Sequence, residues 1–163
     1  MVVVDSSAVI PLSRVGELSL IEELFSEVHT TEGVRRETVV DGEGYPGVAS
    51  IESFLDRATV HESPEGASSV AEREGIETAD ASVVLLAEEL ETSLLANDKA
   101  LIRVARAHGI ECYWVTSLLF AAVSGGLREV DETQRLLEAL VEGGTTLSPS
   151  VFVKVWRRLE ELE

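Results

Sequence analysis

The sequence predicts an α/β fold of three layers, with helices covering both faces of a central, mainly parallel sheet. Three observations point there. The chain opens on a β-branched run, Met1-Val-Val-Val4, stopped by Asp5-Ser6-Ser7, as a short buried strand ending at its carboxyl edge would be. The second half alternates a helix over 80–90, a strand over 93–96, a helix over 99–107 and a strand over 111–115, the βαβ pattern of a parallel sheet. The helix over 80–90 is apolar nearly all round, through Val83, Val84, Leu85, Leu86 and Ala87, as a helix buried against a sheet must be.

The remaining elements follow in order. Ser19 with Glu22 three residues on reads as a capping box before the apolar stripe of Leu20, Ile21, Leu24 and Phe25. Residues 28–30 suit a short second strand and 34–40 a helix, which Asp41-Gly-Glu-Gly-Tyr-Pro-Gly47 breaks with turn residues. A second polar break spans 62–66. Gly109 stands where a helix C-terminal cap belongs, just before the strand at 111. Three further helices are expected after it. The last starts at Ser148-Pro149 and aligns Phe152, Val155, Trp156 and Leu159 on one face.

With 163 residues, 45% of them hydrophobic, the chain is expected to be one domain over 1–163, helices from about 130 to 163 packing onto the rest. No apolar run approaches the ~20 residues of a membrane span, and the N-terminus does not read as a signal peptide. Cys112 is the only cysteine, which excludes an internal disulfide. The expected location is the cytoplasm. Against 13 basic residues stand 30 acidic ones, a formal net charge of −17, and the only lysines are Lys99 and Lys154. Such a surface repels nucleic acid at low salt but is screened in molar salt, where the Debye length is ~3 Å. A salt-adapted, halophilic cytoplasm explains the acids better than an acidic tail, because they are spread along the whole chain.

Four of those acids sit at informative places. Asp5 follows one strand directly, and Asp98 follows another with only Asn97 after Ala96, so both reach the carboxyl edge where open α/β sheets bind ligands. Asp80 lies in the first turn of the apolar helix, and Glu37 falls three residues from both Val34 and Val40, on the apolar stripe of its helix. Each has an ordinary alternative: a turn cap for Asp5, a helix N-cap for Asp98, favourable interaction with the helix dipole for Asp80. Together they would repel unless a cation neutralised them, and an all-oxygen cluster selects Mg²⁺ or Mn²⁺. His29, His61 and His108 are scattered and read as surface histidines, so zinc is not expected.

At these positions the chain resembles a PIN domain of the VapC-like toxin ribonuclease group. Val-Val-Val-Asp5-Ser-Ser7 resembles the family's opening strand, first aspartate and nearby hydroxyl residue. Val34-Arg-Arg-Glu37 resembles the segment carrying its glutamate, although Thr31 stands where many members have proline. Thr78-Ala-Asp80-Ala-Ser and Leu94-Leu-Ala-Asn-Asp98-Lys resemble the segments carrying the third and fourth acids. The tail through Gly125-Gly126-Leu127 and Leu147-Ser-Pro is similar to that of an uncharacterised prokaryotic PIN subgroup.

The resemblance implies a Mg²⁺- or Mn²⁺-dependent endoribonuclease cutting single-stranded or structured RNA, with Asp5, Glu37, Asp80 and Asp98 as both metal ligands and catalytic residues. It implies accessory roles for Ser7 and Asn97, and for Thr116 near a fifth polar position that is not acidic here. Arg35, Arg36, Lys99 and Arg103 flank the acids and would take the RNA backbone. A homodimer, a toxin's role and a cognate antitoxin are implied on the same grounds. Two other parallel-sheet folds fail on the opening motif. A phosphoacceptor receiver would carry an acidic pair after the first strand, and a dehalogenase-type phosphatase would carry aspartate at position 7, which is Ser7. The competing reading is a catalytically weak PIN-fold binding or regulatory module, which the acidic surface favours and the presence of all four acids disfavours.

Overall fold

In a computed structural model describing residues 1–163, five short strands form, the first three rich in β-branched residues: β1 (Val2–Val4), β2 (Val28–Thr31), β3 (Thr59–His61), β4 (Ser93–Leu95) and β5 (Cys112–Tyr113). All pair in parallel in the order β3-β2-β1-β4-β5. The helices of the first half are α1 (Ser6–Arg14), α2 (Ser19–Leu24), α3 (Glu32–Arg35), α4 (Val48–Arg57) and α5 (Ala67–Glu74). Those of the second half are α6 (Thr78–Glu89), α7 (Lys99–Ala107), α8 (Val115–Ser124), α9 (Val130–Glu142) and α10 (Pro149–Glu160). A π-helical turn, Arg36–Val40, continues α3. No helix is long and apolar enough to cross a membrane.

The pleat of β1 sorts the layers, because successive side chains point to opposite faces. Val2 and Val4 join one apolar cluster with Leu12, Ile21, Phe54, Leu118, Leu137 and Leu159, so α1, α2, α4, α8, α9 and α10 cover that face. Val3 joins the other, with Val34, Val83, Val84, Leu101 and Ile102 from α3, α6 and α7. The result is the three-layer α/β/α arrangement that the alternation predicts. The chain lays β1, β2 and β3 outward in one direction, then crosses back through α6 to place β4 on the other side of β1. The topological switch point therefore lies between β1 and β4.

Local signals operate as expected at α7, which spans 99–107, and at Gly109, whose φ of 79° lets Ile110 N–H return to Ala105 O. Ser148 caps α10 by accepting from Val151 N–H. Four expectations need correction. Ser19 is no N-cap: Leu18 holds that position with helical φ and ψ, and the first N–H groups are already used in turns, Leu20 to Glu17 O and Ile21 to Leu18 O. The strand at 111–115 shortens to Cys112–Tyr113 because Trp114 turns out to start α8, its N–H donating to Ser117 Oγ. The stripe expected through Val34, Glu37 and Val40 is broken by the π turn, which adds a residue to the helical repeat and leaves Val40 61% exposed while Val34 is buried. Nor are the histidines scattered on the surface. His29 is buried and its Nδ1 lies 2.9 Å from His61 Nε2 across β2 and β3, while His108 is covered beside Glu74 and Glu88.

Because Leu159 is fully buried against the same cluster as β1, Leu159→Ala is expected to cost about 2–5 kcal/mol in urea unfolding, through one transition seen alike by fluorescence and circular dichroism. Val151→Ala, at an exposed position of the same helix, should stay within about 0.5 kcal/mol of the parent.

Candidate metal centre

Asp5 leaves β1 at the switch point and caps α1, and it is 1% exposed. Its Oδ2 accepts from Ser7 N–H at 3.0 Å and from Ser7 Oγ at 2.6 Å. Its Oδ1 is buried and has no hydrogen-bond partner. Burial pushes this carboxyl above the usual range, the Ser6 and Ser7 donors oppose that shift, and the charge of Asp98 adds to it. Ser7 Oγ also accepts from Asn97 N–H at 2.9 Å. One hydroxyl thus ties the end of β1 to the turn after β4.

Asp98 caps α7 by accepting from Leu101 N–H at 3.0 Å through Oδ1, and it stands exposed. Its cap role uses one oxygen and leaves Oδ2 free of it. Asp80 occupies the first turn of α6, half-buried. Desolvation raises its pKa to about 7, and the charges of Asp5, Glu37, Asp98 and Glu77 push the same way. Glu37, in the π turn, is raised too, first by burial and then by Asp5, Glu77 and Asp41, against a 2.8 Å hydrogen bond from Ser6 Oγ.

Packing explains how Glu37 reaches this edge. A side chain at Gly33 would press on Ala79 at 3.2 Å, so its absence lets α3 lie close against the start of α6. Beneath that contact Thr31 Oγ1 and Ser82 Oγ share a buried 2.7 Å hydrogen bond. The fold thereby brings Asp5, Glu37 and Asp98 near enough to raise the pKa of Asp80, although no three acidic, His or Cys side chains are gathered closely enough to hold a metal ion as they stand. An all-oxygen set with an unpartnered buried carboxylate oxygen fits a hard divalent cation.

Other predicted residues fall into two groups. Ser7 and the Asn97 backbone hold Asp5, as described. Thr116, in the first turn of α8, shares no hydrogen bond with the acids, and the neighbouring Ser117 hydroxyl is taken by Trp114. Arg35 ends α3, Arg36 begins the π turn, and Lys99 and Arg103 lie on α7; none forms a salt bridge. The sequence did not single out Ser6, Asp41 or Glu77. For Ser6, the only signal was its place beside Asp5.

The sign of the Asp80 shift yields a test. Its folded pKa of about 7 lies above the unfolded value near 3.8, so folding favours the protonated form. That stabilisation is complete below about pH 4 and is lost as pH rises through about 7. In a chelator, Asp80→Asn should therefore gain thermal stability relative to the parent as pH rises from 4 to 8, levelling off above the folded pKa. A pH-independent difference would contradict the carboxylate crowding.

No curated protein matches the chain in sequence. A family model described as a PIN domain matches residues 1–161, nearly the whole length. The five-stranded parallel sheet with helices on both faces agrees with the match, and the chain belongs to the PIN-domain family, whose fold is that of a nuclease.

Proposed function

We propose that the chain is a metal-dependent endoribonuclease in which Asp5, Glu37, Asp80 and Asp98 hold Mg²⁺ or Mn²⁺. The unpartnered buried oxygen of Asp5, beside three more carboxylates at the switch point, is the observation that carries this reading. When bound, the cation supplies charge stabilisation for phosphate oxygens and acidifies water for attack on a phosphodiester. The chain's own residues prepare the place. Ser7 fixes Asp5 through both its N–H and its hydroxyl, Ser6 steadies Glu37, and α7 orients Asp98 through its first turn. Arg35, Arg36, Lys99 and Arg103 have no carboxylate partners and would meet RNA backbone phosphates.

The reading extends to one PIN unit over residues 1–163, a VapC-like toxin paired with an antitoxin, a homodimer, and work in a salt-rich cytoplasm. Likeness of the sequence motifs supports the toxin role and the dimer; the net charge of −17 supports the salt. A weakly catalytic binding module is the competing reading, favoured by the same charge.

Two outcomes are expected. Mixed single-stranded RNA in molar KCl should be cut only with Mn²⁺ or Mg²⁺, and Asp5→Asn and Asp98→Asn should each lower the rate by about 100-fold or more. Mn²⁺ at ~100 times its dissociation constant should stabilise the parent by about 2.7 kcal/mol in thermal unfolding, and both variants should lose most of that gain. Cation binding without cleavage of any RNA would favour the binding module, and cleavage surviving in Asp5→Asn would sink the assignment.

A further inference from the structure

Beside the carboxylates lies a cavity of about 490 Å³ that the metal chemistry does not use. Its size is within the ~300–1,000 Å³ typical of small-molecule sites. Glu37 forms part of its wall, so the cavity shares one residue with the proposed cation site. Ile10, Val48 and Ile51 make it apolar inside, and Tyr45, 70% exposed, stands on the 41–47 loop at its edge. Gly42 and Gly47 set that loop. A Cβ at Gly42 would run into the Thr38 carbonyl oxygen, and Gly47, at φ 91°, lies so close that a Cβ would meet Ser13 Oγ at 3.2 Å.

The charges of the lining select part of a nucleotide. Glu37 and Asp41 contribute two carboxylates, while Arg14 is the one cation and already donates to Gly143 O at 3.2 Å. Such a lining repels phosphate. It suits a flat, neutral group bearing N–H donors, and an exposed tyrosine ring offers such a group a stacking surface.

We infer that this cavity is a nucleobase subsite, which stacks one unpaired base of the RNA on Tyr45 while the adjoining phosphate lies at the carboxylates. The inference rests on the nuclease reading for its substrate class. It assigns Tyr45 to base stacking and Asp41 to accepting hydrogen bonds from the base. A protein partner would also cover exposed Tyr45 and Val40, yet a recess adjoining a carboxylate of the proposed cation site fits a substrate better than a flat interface.

The test uses NMR of the full chain in molar KCl with a chelator, so it needs neither cation nor turnover. The probes are guanosine and ribose, which shares the sugar but lacks the base; neither carries a phosphate for the metal-free carboxylates to repel. The nucleoside should shift the Tyr45 ring and the Ile10 and Ile51 methyl signals, the sugar should not, and Tyr45→Ala should weaken binding by about tenfold. Tyr45 is exposed, so this variant is expected to fold. Equal shifts from both probes, no shift at millimolar nucleoside, or unchanged binding in Tyr45→Ala would overturn the subsite. Tyr45 shifts that follow protein concentration without nucleoside would also overturn it, in favour of an interface between copies. Base binding by a protein that cuts no RNA would support the subsite and defeat the reaction.

Discussion

Everything at the functional edge depends on how Asp5 is held. Burying a carboxylate costs several kcal/mol unless its charge is answered, and here the answer is lopsided: Ser7 satisfies one oxygen twice and the other has no partner. The same Ser7 hydroxyl reaches the Asn97 backbone, so the position of Asp5 and the turn carrying Asp98 are fixed together. Helix starts supply the compensating field. Asp5 caps α1, Asp98 caps α7 and Asp80 lies in the first turn of α6, so three positive dipole ends face the site. Even so, burial first and the neighbouring carboxylates second raise the pKa values of Asp5, Glu37 and Asp80.

How much of this was legible in the sequence depends on the range of the physics involved. β1, α6, β4, α7 and α10 follow from local patterns: three valines before Asp5, an all-apolar helix, Gly109 after α7, and Ser148-Pro149 before α10. Helix α1 gives no such signal, since Pro11 lies inside it and Ser6-Ser7 read first as a strand stop. The pairing of His29 with His61 arises from strand register, Thr31 facing His61 and His29 facing Thr59, which no local pattern encodes. At the site, Asp5 could be placed because it directly follows β1, and Asp98 because it stands in the short turn between β4 and α7. The phase of Glu37 could not, because the π turn shifts the helical repeat inside five residues.

The few cations of this acidic chain divide by use. Arg128 is largely covered and holds Glu17, Glu23 and Glu132, joining the start of α9 to the α2 region. Arg57 clasps Glu22 across α4 and α2. These pairs serve packing. Arg35, Arg36, Lys99 and Arg103 remain unpaired around the functional edge, so positive charge stays available beside the carboxylates and nowhere forms a broad patch.

The segment from the π turn through the 41–47 loop contributes little to either main apolar cluster; only Thr38 within it is buried, and Val39 lies at the margin. Yet it carries Glu37, Asp41 and Tyr45 and bounds the cavity beside the carboxylates. Under the proposed base subsite, stability and ligand choice lie on different stretches of chain. Substitutions in this segment can accumulate without repacking the interior, so relatives sharing the same scaffold are free to diverge in what they recognise while keeping the four acids in place.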